Sequence, residues 1–459
     1  MTSDQDGRGS ERKKNDQVEL RRAIEELRRL LDADEIEALQ PMGPAAIYNA
    51  QVTVWLMIHQ RLHAGGSLQD AVHELLDAEP ETLPDNRRVR EGTLSGNTAA
   101  YSCARTRLKP EVTEAVAERL FRSLTEASPP SIAGRRAFLL DGTTITLAPS
   151  AELKRAYPPA SNQYGASAWP LAHLVVAHEL ESGCAILPEV GAKCGPAAQG
   201  ETSLAQALFP RLPSGSIVIG DRNFGVFSVA FAARQAGHDV LFRLTEQRYR
   251  SLLKGSRPTP GDPSDARRRP LTWRPSRKDR QAHPELPEDA ALEAWLYEIR
   301  ISDSLTLLLL STTPFSVGEA SELYRRRLDV ETDIRNVKVL LKTERLPGRS
   351  AAMVRKELAA SITAYNLTVR IRRLAAQRAE TAPRRISFSR TWSAVRVLLL
   401  SPRRWTTDAW LAKFELTIRT ASRYKIPHRP GRTYPRRALP RRDKSISGRR
   451  PKRPPPPPD

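Results

Sequence analysis

The sequence predicts an α/β protein with a mixed sheet, preceded by an all-helical segment and followed by a basic, proline-rich tail. Three observations lead there. From Arg135 three strand-like runs follow one another and then give way to helix and strand in alternation, the pattern of a mixed sheet. The residues before 130 show apolar positions at helical spacing. Residues 421–459 hold ten prolines, with thirteen Lys and Arg against two Asp.

Residues 1–16 are polar and are expected to be disordered. From Gln17 to Leu39, Leu20, Ile24, Leu27, Leu30 and Leu31 recur at helical intervals, and Ala45 to Leu62 is apolar on most faces and should be buried. Glu79 to Gly96 reads as loop by its Pro, Asp, Asn and Gly, and Ala99 to Leu108 and Pro110 to Ser123 read as two further helices. Residues 17–130 thus make the expected helical domain.

The α/β part, expected over 135–244, begins with the strand RRAFLLDGTTITLA. AWPLAHLVVAHEL and GCAILPEVG follow as strands, then ETSLAQALFPRL as helix, SIVIGD as strand, FGVFSVAFAARQAG as helix and DVLFRL as strand. Residues 245–314 leave this alternation: a stretch rich in Pro, Arg, Asp and Ser precedes the β-like LEAWLYEIRIS and SLTLLLLSTT. Helix dominates 315–381, and a further helical region is expected over 382–420. The tail, 421–459, contains the run Pro454 to Pro458 and cannot be continuous helix or central strand.

The chain has 459 residues and a formal net charge of +21, from 73 Lys and Arg against 52 Asp and Glu. An excess this large points to a polyanionic partner, nucleic acid foremost and anionic membrane as the competitor. The most apolar run, Ala45 to Gln60, is broken by Asn49 and Gln51 and falls short of a span, so no membrane partner is expected. The start is polar and lacks the apolar run of a secretory signal, which sets the expected location in the cytoplasm, at the nucleoid. Cys103, Cys184 and Cys194 show no metal-finger spacing.

Three places carry candidate chemistry. Asp141, in FLLDGTTITL, ends an apolar strand, although Asp-Gly between β-like runs is also the commonest hairpin-turn signal. Asp221, in SIVIGDRNFG, follows a buried strand, where it is either a loop or N-cap aspartate or a site residue at the carboxyl edge of the sheet. In SELYRRRLDVETDIRNVKVLLKTE, Tyr324, Arg327, Glu331 and Lys338 fall on one face of a helix that no proline or glycine interrupts. The alternative is a solvated charged stripe with Arg327 and Glu331 as an i,i+4 pair. Three carboxylates from two strand ends and a helix can supply oxygen ligands for Mg²⁺ or Mn²⁺, and two such ions suit in-line phosphoryl transfer. No GxxxxGK[ST] phosphate loop is present, and His173 and His178 read as structural.

DGTT at Asp141, DRNFG at Asp221 and Y-x2-R-x3-E-x6-K from Tyr324 to Lys338 resemble the three signature regions of the IS4-type DDE transposases of bacterial insertion sequences. AYSCARTRL (Ala100 to Leu108), AYNL (Ala364 to Leu367) and KIPHRPGRTYPR (Lys425 to Arg436) add to the likeness, which runs from about residue 40 to 437. The resemblance implies an RNase H-like core, interrupted by a β-rich insertion at 245–314, in which Asp141, Asp221 and Glu331 hold two Mg²⁺ or Mn²⁺ ions. It implies that Tyr324, Arg327 and Lys338 grip DNA near the transposon end, with Arg222 beside them. Trp273 or Trp295 would stack on a flipped base, unless each simply packs the insertion. The helical region, with Arg105 and Arg107, would bind the inverted repeats.

The function so implied is cut-and-paste transposition. Double-stranded DNA is the substrate, a homodimer the synaptic assembly, and a hairpin the intermediate of second-strand cleavage. A non-transposing nuclease on the same core and an inactive basic DNA-binding protein derived from a transposase are the competing readings.

Overall fold

The computed structural model describes residues 32–43, 46–63, 65–77, 83–163, 165–256, 266–303, 305–340, 342–398 and 408–427. Its centre is a ten-stranded mixed sheet. The strands are β1 (Ala137–Leu147), β2 (Pro159–Asn162), β3 (Gly165–Glu179), β4 (Glu189–Ala192), β5 (Ile217–Gly220), β6 (Asp239–Arg243), β7 (Ala266–Trp273), β8 (Leu292–Ser302), β9 (Leu305–Ser311) and β10 (Arg345–Leu346). The order is β2-β3-β1-β5-β6-β9-β8-β7, with β4 on β3 and β10 on β1. β1 runs antiparallel to β3 and parallel to β5, and β5 is parallel to β6. Three antiparallel strands followed by two parallel ones, reached through helices, form the RNase H-like arrangement.

β1 settles the ambiguity at Asp141. The chain does not turn at Asp-Gly; it continues as an eleven-residue strand in which Asp141 pairs with Val176 and Gly142 with Val175 of β3. Pairing on both sides of β1 outweighs the local turn preference of the dipeptide. Ala137 to Leu140 and all of β5 are buried, so both faces of the sheet are covered there. Ala137, Leu139, Ile217, Ile219 and Leu241 pack on one face with Ala320, Leu323, Tyr324 and Val330. The alternate residues Phe138, Leu140, Val218, Val240 and Phe242 join the larger core on the other face.

That larger core is threaded by the helix Ala351–Arg378, whose residues are buried for nearly its whole length. It packs against the helices Ala50–Leu62, Pro110–Glu126, Phe388–Leu398 and Asp408–Ser422. Ala50–Leu62 is buried throughout, as its all-round apolarity predicts, and Asn49 caps it by accepting from the Val52 amide. Polar groups on Ala351–Arg378 lock the layers together. Asn366 bonds both the amide and the carbonyl of Ala185 at 2.8 Å, and the Tyr365 hydroxyl donates to the Gly183 carbonyl at 2.8 Å.

Several expectations change. The strand expected over GCAILPEVG shortens to β4, because only a bridge at Ala185 precedes Pro188. The helices Leu68–Leu76, closed by a Ser67–Asp70 capping box, and Arg87–Arg90 were not predicted, nor was β7. β7, β8 and β9 form an antiparallel meander that extends the main sheet through β6 and β9. Of the amphipathic helix expected from Gln17 to Leu39, Ala33–Leu39 is helical and residues 17–31 lie outside the described residues, as does the disordered start at 1–16. The chain divides at Lys425 into a large compact unit and a short carboxy-terminal one. Ala421 and Ser422 end a helix and Lys425 bridges Ile386, so ordered contacts run into the stretch expected as tail; residues 428–459 lie outside the described residues.

Candidate active site

The carboxyl edge of β1 and β5 places the first two carboxylates. Leu139 pairs with Ile219 across the parallel ladder, so two residues further along each chain Asp141 stands beside Asp221. With a side-chain period of two, both follow Ala137–Leu139 and Ile217–Ile219 onto the face covered by residues 317–335. The Asp221 carboxylate accepts from the Asn223 amide at 2.9 Å and that of Asp141 from the Gly142 amide at 2.9 Å.

Residues 317–340 bring the third carboxylate. The single helix predicted from Tyr324 to Lys338 is instead four pieces: α-helix Val317–Arg325, a 3₁₀ turn Arg326–Leu328, α-helix Asp329–Arg335 and a π-helical turn Asn336–Leu340. The changes of winding fit the side chains to the sheet. Arg327, on the 3₁₀ turn, points its guanidinium among the acids, 3.4 Å from Asp141, 3.8 Å from Asp221 and 3.7 Å from Glu331. Its Nε is buried without a hydrogen-bond partner. Lys338, on the π turn, reaches β1, where its Nζ donates to the Thr143 hydroxyl at 3.1 Å and the Thr144 carbonyl at 3.3 Å. Tyr324 is buried on the same side, near Arg243 at the end of β6; burial raises its pKa.

Glu331 owes its position to the opposite side of its helix. Asp333, two residues on and 1% exposed, is paired with Arg384 at 2.7 Å, and Arg384 also reaches Asp329 at 3.5 Å. Residues two apart on an α-helix point to nearly opposite sides, so anchoring Asp333 inward turns Glu331, about half exposed, outward to the site. Burial pushes the Asp141 carboxyl up to about 6, with Arg327 and the Gly142 amide opposing it and the Asp221 and Glu201 charges adding to it.

The remaining candidates divide. Arg222 is exposed on the loop after β5, and its carbonyl accepts from Arg248. Trp273 is not open to a base: it is 4% exposed and packs edge-on against Phe227 with ring centres 5.3 Å apart. Trp295 is half-buried on β8 against the core formed with Tyr297 and Leu309. Arg105 is held by Glu357 at 2.8 Å, so of the two arginines of the helix Ala99–Arg107 only Arg107 is exposed. Sequence reading missed Glu201 and Asn223, which adjoin the site, and read His173, which contacts Glu201, as structural. It also missed the exposed Trp169, over which the Arg345 guanidinium stacks at 5.0 Å.

The donors suit a hard divalent ion: three carboxylates surround one positive charge. As they stand they are spread about the guanidinium, and among the described residues no three His, Cys, Asp or Glu side chains close on one point. Nor, among those residues, is any helix long and apolar enough to cross a membrane.

Residues 132–367, more than half of the chain, match the family model of the transposase DDE domain, and the chain belongs to that family. Members are in general nucleases and strand transferases that use divalent metal ions. No curated protein matches. Among solved structures, a piggyBac transposase synaptic complex with hairpin DNA is similar over 90% of this chain and 84% of that one, at 10% identity and a TM-score of 0.41, a likeness too loose to carry an argument.

Proposed function

We propose that the protein is a transposase of the IS4 type that binds the inverted repeats of a bacterial insertion sequence, cuts its ends and joins them to target DNA. The observation that carries this reading is the convergence of Asp141, Asp221 and Glu331 on Arg327, each within 4 Å of its guanidinium. These carboxylates would hold a pair of Mg²⁺ or Mn²⁺ ions. When bound, such a pair supplies a clamp on the attacking and leaving oxygens of an in-line phosphoryl transfer.

The other side chains act on the DNA. Three carboxylates repel phosphate until their charge is neutralised. Arg327, released from them, is placed to grip a backbone phosphate bidentately, and Lys338 offers a second cation beside β1. Tyr324, buried with Leu323 and Val330, stiffens the base of this grip. Arg222 and Arg107 lie exposed for phosphate contacts further out. A homodimer would pair two ends for joining.

The test is cleavage of a duplex carrying the element's end with Mg²⁺ present. Asp141→Ala, Asp221→Ala and Glu331→Ala are each expected to abolish strand cutting and spare DNA binding. Normal cutting by the three variants contradicts the assignment, and cutting without joining to a target duplex identifies a nuclease instead.

A further inference from the structure

A fourth carboxylate lies against this site. Glu201 opens the helix Glu201–Leu208, and its side chain rests on β1 at Gly142, beside Asp141. A Cβ built at Gly142 would fall 2.4 to 2.7 Å from the Glu201 carboxyl group and its Cγ. The glycine after Asp141 therefore makes room for Glu201; it does not make a turn. Both carboxylate oxygens are engaged. Oε2 accepts from the Asn223 side-chain amide at 3.3 Å, and Oε1 meets the His173 Nε2 at 3.2 Å. The other ring nitrogen, Nδ1, faces the Gln199 carbonyl at 3.2 Å. Each ring nitrogen of His173 thus meets an acceptor, so the ring is fixed between the Gln199 carbonyl and the Glu201 carboxylate. His173 is anchored on β3 opposite Thr144 with its side chain 5% exposed. Asn223 closes the chain, since its backbone amide donates to Asp221 at 2.9 Å.

We propose that Glu201 is a positioning residue of the carboxylate site. Held by His173, it ties the Asp221–Asn223 turn to β1 and so sets the separation of the Asp141 and Asp221 carboxylates, without ligating an ion itself. This rests on the reading of those aspartates as metal ligands. Partners of this kind orient ligands, and their loss typically costs about 10- to 100-fold in metal affinity.

The experiment measures Mn²⁺ binding to the full-length protein alone, by electron paramagnetic resonance, and the Mn²⁺ dependence of end cutting. Glu201→Ala and Asn223→Ala are expected to weaken Mn²⁺ binding about 10- to 100-fold, with cutting restored to within a few-fold of wild type at saturating Mn²⁺. Glu201→Gln, which keeps an oxygen for Asn223, should lose less. Asn223 is exposed, so its variant keeps the test valid should Glu201→Ala fail to fold. Unchanged Mn²⁺ affinity in both alanine variants overturns the proposal, as does a loss of cutting that Mn²⁺ does not restore, the behaviour expected of Asp221→Ala. Wild-type protein that neither binds Mn²⁺ nor cuts sinks the transposase reading and this inference together; a competent wild type beside an unaffected Glu201→Ala and Asn223→Ala sinks the inference alone.

Discussion

Arg327 stands where charge must change hands. One guanidinium offsets three carboxylates in the apo protein, and it competes for them with any divalent ion. Arg327→Ala should therefore bind Mn²⁺ more tightly than wild type, yet cut more slowly because a phosphate grip is lost. It should also lower apo stability by about 1–2 kcal/mol, less than for a fully buried pair because the acids are partly exposed. Weaker Mn²⁺ binding by the variant would assign Arg327 a supporting role in the metal site. Asp141 adds a pH dependence. Its carboxyl is pushed from 3.8 up to about 6, mainly by burial. Because the folded value lies above the unfolded one, this group favours the folded state below pH 3.8, and that contribution disappears as pH rises through 6. Mn²⁺ competes with the same proton, so affinity measured at pH 5 and pH 7 should rise by about tenfold. Asp141→Asn should flatten that slope.

The Tyr324–Lys338 segment separates what spacing reveals from what it hides. Its residues could be picked out because helical offsets gather them on one side, and that side does face β1 and β5. The 3₁₀ and π turns were not legible, since they arise from contacts made elsewhere in the chain: Arg327 with two strand ends, Lys338 with Thr143, and Asp333 with Arg384. Glu201 was hidden for a similar reason. A carboxylate in the first turn of a helix reads locally as a complement to the helix dipole, and only the fold carries it to Gly142. The Asp333–Arg384 pair gives this element its own prediction. Asp333→Ala leaves Arg384, 14% exposed, without its nearest counter-charge and should lower stability by about 3–5 kcal/mol, measurable by denaturant unfolding. Asp333→Leu combined with Arg384→Met should recover much of that loss. Costs that simply add would mean the two side chains stabilise the protein separately.

Across the whole molecule, the net charge of +21 does not say which charges face outward. Several cations counted in it are interior: Arg61, Lys356, Arg370, Arg372 and Arg373 are buried, although arginine and lysine are ordinarily read as surface. Lys356 donates to the Leu108 carbonyl at 2.8 Å and to that of Arg105, capping the helix Ala99–Arg107, and burial pulls its pKa down to about 8. Arg61 and Arg105 flank the buried Glu357. Arg61, Arg105, Lys356 and Arg373 hold the helical region to Ala351–Arg378 and are engaged there, a division that composition alone does not reveal. Residues 428–459 carry eleven Lys and Arg against two Asp, 11 − 2 = +9 of the net charge of +21. Ending the chain at Pro427 should therefore weaken binding to duplexes of any sequence and flatten the plot of log affinity against log salt, by about 0.9 for each phosphate contact removed. Cutting of an end-bearing duplex at low salt should survive, because Asp141, Asp221, Glu331 and Arg327 all lie before that point. An unchanged salt slope would place the non-specific grip on the folded surface around Arg222, Lys338 and Arg107 instead, and would leave the tail without a part in holding DNA.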